Sequence, residues 1–216
     1  MLVNTENFEV ISREVQAKDV VLVAVSKTKP VEAIRELYDL GHRDFGENYV
    51  QELIAKKDQL PADIRWHFIG HLQTNKAKLI VPFVHLIHGI DSFKLLKEVN
   101  KAAERVGRIQ EVLLQVHIAE EETKFGLDED EVKGILEGEA LHSLASIKLS
   151  GFMGMASFTE DEQKVRGEFR RLREIATKYK LPLLSMGMSG DYRWAIDEGS
   201  NMVRIGSLLF GARTPN

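Results

Sequence analysis

The stretch VVLVAVSKTKPVEAI, from Val20 to Ile34, begins as a run of β-branched and aliphatic residues and changes abruptly at Ser26–Pro30. The first part, Val20–Val25, predicts a buried strand, because such residues favour a pleated, buried surface. The proline suits the first position of a helix, and the residues after it predict a helix from Val31 to about Leu40. A buried strand followed directly by a helix is the repeating unit of parallel α/β sheets.

The same alternation of short apolar runs and longer amphipathic segments continues along the chain. Eight such units are the number found in a closed barrel. We therefore expect a single (β/α)₈ TIM barrel over residues 1–216, with an extra N-terminal helix at Thr5–Ala17. A doubly wound open sheet is the main alternative, since it uses the same units. The predicted strands are Val20–Val25, Arg43–Phe45, Arg65–Ile69, Phe83–Ile87, Glu111–Ile118, Ile147–Met153, Leu183–Met186 and Met202–Ile205.

The composition limits the classes of function. The 216 residues are 44% hydrophobic and 29% charged, with a net charge of −4, so no basic footprint for nucleic acid is present. The absence of cysteine excludes disulfides and thiolate catalysis, and no His, Asp or Glu group has metal-site spacing. The first residues lack an apolar signal segment, and no apolar run approaches the ~20 residues of a membrane span. We expect a cytoplasmic protein without nucleic-acid or membrane partners.

Two lysines follow the first strand, and they differ in where they point. Because side chains alternate along a strand, the odd-numbered valines of Val21–Val25 share a face with Lys27. Barrel interiors favour branched residues, so Lys27 is predicted to point into the barrel. Lys29 precedes Pro30, which holds it in an extended loop outside the strand. A lysine in an apolar barrel mouth is desolvated, and this favours the neutral amine that attacks aldehydes.

The last two strands end in loops rich in glycine and serine, Met186–Asp191 and Arg204–Ser207. Each loop offers glycine for close backbone approach, a serine hydroxyl and the start of a helix. In barrels the loops after strands seven and eight often bind phosphate. An amine inside the barrel beside a phosphate site indicates pyridoxal 5′-phosphate (PLP), an aldehyde with a phosphate group.

Two further side chains are candidates for this site. Asn48 follows Gly46 at the end of the second strand, where it either faces the site or caps the next helix. His67 lies on the third strand at the barrel mouth, where it either contacts the cofactor or is a core histidine with satisfied hydrogen bonds.

Six motifs carry a resemblance to a known family: AVSKTKP, FGENYVQE, WHFIGHLQTNK, LSGFMGMA, SMGMSGD and VRIGSLLFG. They resemble the pyridoxal phosphate homeostasis protein family, also called the PLP-binding protein or proline synthase co-transcribed family. The resemblance runs from about Val20 to Gly211. It implies a barrel like the N-terminal domain of bacterial alanine racemases.

The resemblance also implies roles for individual residues. Lys27 holds PLP as a Schiff base, and Arg204 faces the pyridine nitrogen. Ser189 and the backbone of Gly206 and Ser207 hold the phosphate. Two positions differ from racemases, which carry a histidine where Met155 stands and an arginine near Lys124. The cofactor-binding residues expected are Lys27, Asn48, His67, Met155, Ser189, Arg204, Gly206 and Ser207.

Family members are implied to bind, buffer and deliver PLP in vitamin B6 homeostasis without clear catalytic turnover. An arginine cannot accept a proton from the pyridine nitrogen, so the ring is a weak electron sink. The sequence ends at Asn216, soon after the eighth strand, without the second domain that dimerises racemases and supplies their tyrosine base. We expect a monomeric PLP carrier rather than an enzyme. A PLP-dependent amino-acid racemase is the alternative, and transient contact with PLP-dependent apo-enzymes is a further hypothesis.

Overall fold

In a computed structural model, which describes residues 2–119 and 125–211, eight parallel strands close into a barrel in the order of the sequence. The barrel closes where the first strand pairs with the last, from Val21 opposite Met202 to Ala24 opposite Ile205. The expected barrel is therefore confirmed, and the open sheet is excluded. The strands are β1 Val21–Val25, β2 Asp44–Glu47, β3 Arg65–Phe68, β4 Leu86–Ile90, β5 Gln110–Gln115, β6 Ile147–Met153, β7 Leu183–Ser185 and β8 Met202–Ile205.

Helices follow the strands and cover the outside of the barrel. In addition to α-helices, short 3₁₀ segments occur at Thr74–Lys76 and Glu139–Ser143. Within residues 2–119 and 125–211, no helix is both long and apolar enough to cross a membrane. The α-helices are α1 Thr5–Gln16, α2 Val31–Asp39, α3 Val50–Lys57, α4 Ala77–Ile80, α5 Phe93–Arg105, α6 Glu129–Leu136, α7 Glu162–Tyr179, α8 Tyr192–Asp197 and α9 Ser207–Phe210.

The extra N-terminal helix is present and packs against the end of the chain. The Asn4 side chain caps α1 by accepting a hydrogen bond from Asn7 N–H, and the Asn4 N–H donates to the Leu209 carbonyl at 2.7 Å. The buried face of α1 consists of Phe8, Ile11 and Val15. These contacts join α1 to α9 and to the start of β1.

Two separate apolar clusters show which side chains point into the barrel. The smaller one contains Val23, Leu86, Leu113, Met153 and Met202, each from a different strand. The larger one includes the buried faces of the helices together with the alternate strand residues. The smaller cluster is therefore the barrel interior, and Val23 faces inward as the alternation in β1 predicted.

The fourth strand lies three residues later than predicted, at Leu86–Ile90 instead of Phe83–Ile87. The N–H groups of Phe83 and Val84 both donate to the Ile80 carbonyl, at 3.1 and 2.9 Å, so this segment is a turn after α4. A turn that packs on the core is apolar too, and this misled the prediction. His88 therefore lies inside β4 and is fully buried.

Candidate cofactor site

β1 leads into a tight turn that carries Lys27. The N–H of Lys29 donates to the Ser26 carbonyl at 3.0 Å and closes the turn. Within it Thr28 has φ of +63°, in the left-handed region that non-glycine residues rarely adopt. Lys27 itself is half-buried. The turn therefore presents Lys27 from a defined backbone position at the carboxyl end of β1.

A buried lysine on α3 fixes this turn. Lys56 Nζ donates to the Ser26 carbonyl at 2.8 Å, to Glu47 Oε1 at 2.7 Å and to Glu52 Oε1 at 2.6 Å. The Ser26 hydroxyl donates to the same Glu47 oxygen at 2.6 Å, and the Thr28 N–H donates to Glu52 at 2.6 Å. We call these five residues the Lys56 cluster. The cluster ties the turn to the end of β2 and to α3.

The Lys56 cluster holds its charges away from water. Lys56 is 6% exposed and Glu47 is 0% exposed. Burial raises the pKa of Glu47, and the neighbouring Lys56 opposes that effect. A buried ion pair adds little net stability, but breaking it leaves an uncompensated buried charge. The pair therefore restricts the turn to one geometry. Our sequence interpretation missed it, although Glu47 and Glu52 both stand in the FGENYVQE motif.

The second lysine of the turn reaches a different part of the barrel rim. Lys29 Nζ donates to the Phe210 carbonyl at 2.8 Å, at the C-terminal end of α9. Lys29 thus joins the turn to the last helix, and this contact gives it a structural role.

The loops after β7 and β8 lie against each other. The Gly206 N–H donates to Ser189 Oγ at 3.4 Å, and the Arg204 N–H donates to the Gly187 carbonyl at 3.0 Å. Gly187 has φ of +96°, and a Cβ at this position would lie 2.6 Å from the Ala195 Cβ. Glycine is therefore required where the β7 loop turns toward β8.

The β8 loop also borders the turn that carries Lys27. β1 and β8 are paired, and a Cβ added to Gly206 would lie 3.4 Å from the Val25 Cβ. α9 begins at the next residue, Ser207. The structure thus brings the lysine turn and both serine–glycine loops to one sector of the barrel mouth.

Arg204 lies on β8 and is 4% exposed. Its Nη1 donates to the carbonyl and the hydroxyl oxygen of Ser185 at 2.6 and 2.7 Å, and its Nη2 donates to the Gly154 carbonyl at 3.1 Å. Nε has no hydrogen-bond partner among the described residues. Burial lowers the pKa of Arg204 to about 10, so the guanidinium remains charged at neutral pH. Three of the five guanidinium N–H donors are used by these contacts, so the site contains a fixed cation with two further donors, one on Nη2 and one on Nε.

Asn48 has an unsatisfied polar atom. Tyr49 is the N-cap residue of α3 and no side chain caps this helix, so Asn48 does not have the capping role. The Asn48 Oδ1 is buried and has no hydrogen-bond partner in the described part of the chain. Gly70 lets the neighbouring loop approach, since a Cβ there would lie 2.4 Å from the Asn48 carbonyl oxygen. A ligand with a polar group at this strand end would satisfy the amide.

The other expected site residues are divided between mouth and core. Met155 packs against the interior cluster. His67 is 1% exposed, and its two ring nitrogens lie 2.9 Å from His88 Nε2 and 3.0 Å from Asp44 Oδ1. These contacts favour the core-histidine alternative, because they leave neither nitrogen for a ligand. Lys124 lies outside the described residues.

The barrel and the groups at its carboxyl end define a class of protein. Residues 4–214 match the family described as alanine racemase, N-terminal domain. The chain is 43% identical over 199 residues to the pyridoxal phosphate homeostasis protein of Aquifex aeolicus, across 89% of this chain and 86% of that protein. It is 40% identical over 210 residues to the human pyridoxal phosphate homeostasis protein, across 89% and 76% of the two chains. The chain belongs to this family, as the motifs indicated.

Solved structures agree with this assignment. The structure of PipY from Synechococcus elongatus without PLP aligns with a TM-score of 0.89 at 35% identity, covering 95% of this chain and 99% of that one. The PipY structure with PLP bound aligns with a TM-score of 0.82 at 36% identity, covering 89% and 93%. Alanine racemase of Clostridium difficile has a TM-score of 0.76 at 15% identity, over 99% of this chain and 58% of that one. That last likeness shows a shared fold.

Proposed function

We propose that this protein binds PLP at the carboxyl end of its barrel and acts in PLP homeostasis. The observation that carries the proposal is the pairing of β1 with β8, which sets the Lys27 turn beside the glycine–serine loop of Gly206 and Ser207. PLP bound to PipY, a relative of the same fold and family, supports the choice of cofactor. The residues proposed to contact PLP are Lys27, Asn48, Met155, Ser189, Arg204, Gly206 and Ser207. His67 lies behind these residues in the barrel core.

The residues present fit the chemical groups of PLP. Lys27 supplies an amine that holds the aldehyde as a Schiff base. Ser189 and the N–H groups of Gly206 and Ser207 supply donors for the phosphate. Arg204 supplies a fixed cation for the pyridine nitrogen, and the unsatisfied amide of Asn48 is available to a ring substituent.

PLP supplies an electron sink when its ring nitrogen is protonated. A guanidinium can only donate a hydrogen bond, so Arg204 keeps this nitrogen unprotonated and weakens the sink. Arg204 cannot turn away to relieve this, because Ser185 and Gly154 hold its two terminal nitrogens. The arrangement therefore favours retention of the cofactor over turnover of a substrate. The proposal includes three further points. The protein acts without substrate turnover, it is a monomer in the cytoplasm, and it makes transient contact with PLP-dependent apo-enzymes.

One experiment tests both the binding of PLP and the absence of racemase turnover. The purified apo-protein is incubated with PLP and desalted, and the bound cofactor and the racemisation of L-alanine are measured. We expect one PLP per chain and no D-alanine above the rate of free PLP. A loaded protein that forms D-alanine, with activity lost in Lys27→Ala, would establish the racemase alternative.

A further inference from the structure

A continuous hydrogen-bonded network crosses the barrel interior from Arg204 to the opposite end. Arg204 Nη1 lies 2.7 Å from Ser185 Oγ, which lies 2.8 Å from His88 Nδ1. His88 Nε2 lies 2.9 Å from His67 Nδ1, and His67 Nε2 lies 3.0 Å from Asp44 Oδ1. Arg65 Nε donates to the same Asp44 oxygen at 2.7 Å. The interior network consists of Arg204, Ser185, His88, His67, Asp44 and Arg65.

The two ends of the interior network determine where every proton lies. Arg204 can only donate, so Ser185 Oγ accepts from it, and His88 Nδ1 is the acceptor that the described residues offer for the hydroxyl proton. A histidine that accepts at Nδ1 and is neutral carries its proton on Nε2, which donates to His67 Nδ1. His67 in turn carries its proton on Nε2 and donates to Asp44. The donors from Arg204 to His67 therefore all point toward Asp44, which also accepts a hydrogen bond from Arg65.

Burial makes this arrangement costly to change. Ser185 and His88 are 0% exposed, and His67 is 1% exposed. Burial lowers the pKa of His88 well below its ordinary value, and the charges of its neighbours add to that effect. A change of tautomer at one histidine would place two donors or two acceptors opposite each other among fully buried side chains. The network thus behaves as one unit.

The far end of the network lies near solvent. Asp44 and Arg65 are the first residues of β2 and β3 and help to line a cavity of about 750 Å³ beside α1. The Arg65 side chain is 49% exposed. The interior network consequently connects an accessible ion pair at the amino-terminal end of the barrel to the buried Arg204.

We propose that the interior network positions Arg204 and transmits the state of the Asp44–Arg65 pair to the ring nitrogen of bound PLP. His67, His88 and Ser185 act as positioning residues, since they reach the cofactor only through Arg204. A weaker acceptor at Asp44 weakens each donor in turn along the network, because hydrogen bonds in a chain polarise one another. The proposal rests on the proposed function for the place of Arg204 at the ring.

The first test needs neither PLP nor a variant. Nitrogen-15 spectra of the histidine rings in the apo-protein report which nitrogen carries the proton. We expect the proton on Nε2, and none on Nδ1, in both His67 and His88. A mixture of tautomers, or a proton on Nδ1 of either ring, would overturn the proposal, and this result is independent of whether PLP binds.

The second test uses two substitutions that cut opposite sides of His88. His88→Asn places an amide oxygen near the position of Nδ1 and keeps the bond to Ser185. His88→Gln places its amide near the position of Nε2 and loses the bond to Ser185. We expect the visible band of bound PLP to shift more in His88→Gln, which loses the bond to Ser185, than in His88→Asn, which loses only the link to His67. Thermal unfolding of the two variants shows whether they lose similar stability. A band unchanged in both variants would contradict the positioning role while leaving PLP binding intact.

The third test measures transmission across the barrel. Asp44→Asn replaces the carboxylate by a weaker, neutral acceptor. We expect it to shift the PLP band in the wild-type background and to have no effect in the His88→Asn background, where the network is cut. His85→Gln is the control, because His85 lies edge-on to His67 at 5.4 Å and is outside the network. Equal shifts from Asp44→Asn in both backgrounds would overturn the proposed transmission.

Discussion

The ammonium group of Lys56 lies 2.7 Å from the carboxylate of Glu47, and both side chains are buried beneath the turn that carries Lys27. The same ammonium donates a hydrogen bond at 2.8 Å to the carbonyl of Ser26, the residue before Lys27. A charged pair outside the proposed cofactor-binding residues thus fixes the backbone from which Lys27, the proposed cofactor lysine, extends. Preorganisation of this kind reduces the entropy lost on binding.

Lys56→Met should destabilise the protein strongly. The substitution leaves Glu47 buried without a counter-charge, which costs about 3–5 kcal/mol of unfolding free energy. Urea unfolding of the apo-protein measures the loss. The matched control is Lys57→Met, at a partly exposed neighbour whose ion pair with Asp58 lies on the surface; it should cost below about 0.5 kcal/mol. Equal losses in the two variants would show that the Lys56 cluster does not fix the turn.

Gly187→Ala should disturb the loop that is proposed to hold the phosphate. The added methyl meets the Ala195 Cβ at 2.6 Å, and φ of +96° strains any other residue, so we expect a loss of about 1–3 kcal/mol and weaker PLP retention. Gly190→Ala is the control in the same loop, since a Cβ there meets nothing within 4 Å. Thermal unfolding and PLP dissociation measure both variants. A tolerated Gly187→Ala would contradict the described loop geometry.

Ser189→Ala should weaken the hold on PLP without altering the fold. A hydroxyl that donates to a charged phosphate contributes about 1.5–3 kcal/mol, which corresponds to a roughly 10- to 150-fold rise in the dissociation constant. Equilibrium dialysis measures the constant. Ser143→Ala, on the exposed 3₁₀ segment, is the control and should leave it unchanged. An unchanged constant in Ser189→Ala would remove this residue from the proposed phosphate site.

The free energy of unfolding should fall as the solution becomes acidic, because buried histidines resist protonation in the folded protein. Burial lowers the pKa of His42 and of His88. Below about pH 6.5 the unfolded chain takes up protons at these residues that the folded chain does not, so acid favours unfolding. Each histidine contributes a slope of up to about 1.4 kcal/mol per pH unit, until the pH reaches its folded pKa.

Urea unfolding between about pH 7 and pH 5 tests this titration. The slope of stability against pH should be smaller in His88→Asn than in the wild type. Val99→Ala, which shortens a fully buried apolar side chain, is the control and should lower stability without changing the slope. If His88→Asn kept the wild-type slope, His88 would not be a neutral buried group.

Much of the fold could be predicted from the sequence, for a physical reason. Strands of a parallel barrel are buried on both faces, so they read as continuous apolar runs, and the bounds of β6 and β8 were predicted correctly. β4 was misplaced because Phe83 and Val84 form an apolar turn packed on the core. The alternation of Val21–Val25 placed Val23 inside the barrel, where the structure has it.

The side-chain networks could not be predicted in the same way. Lys56 lies 30 residues from Ser26 in the sequence, and His88 lies 97 residues from Ser185. Such pairs form only when the elements that carry them pack together, and nothing in the local sequence pattern links them. For Asn48, the sequence left capping and the site as alternatives; the cap of α3 at Tyr49 removes the capping role, and the unsatisfied amide oxygen supports the proposed site.

The central claim is that Lys27, and not Lys29, holds the cofactor. The visible absorption spectrum of the protein loaded with PLP tests it most directly, with Lys27→Ala and Lys29→Ala measured beside the wild type. The account predicts that the band of protein-bound PLP is lost in Lys27→Ala and kept in Lys29→Ala, since the Lys29 ammonium is bonded to the end of α9. A band that persists in Lys27→Ala and disappears in Lys29→Ala would contradict it.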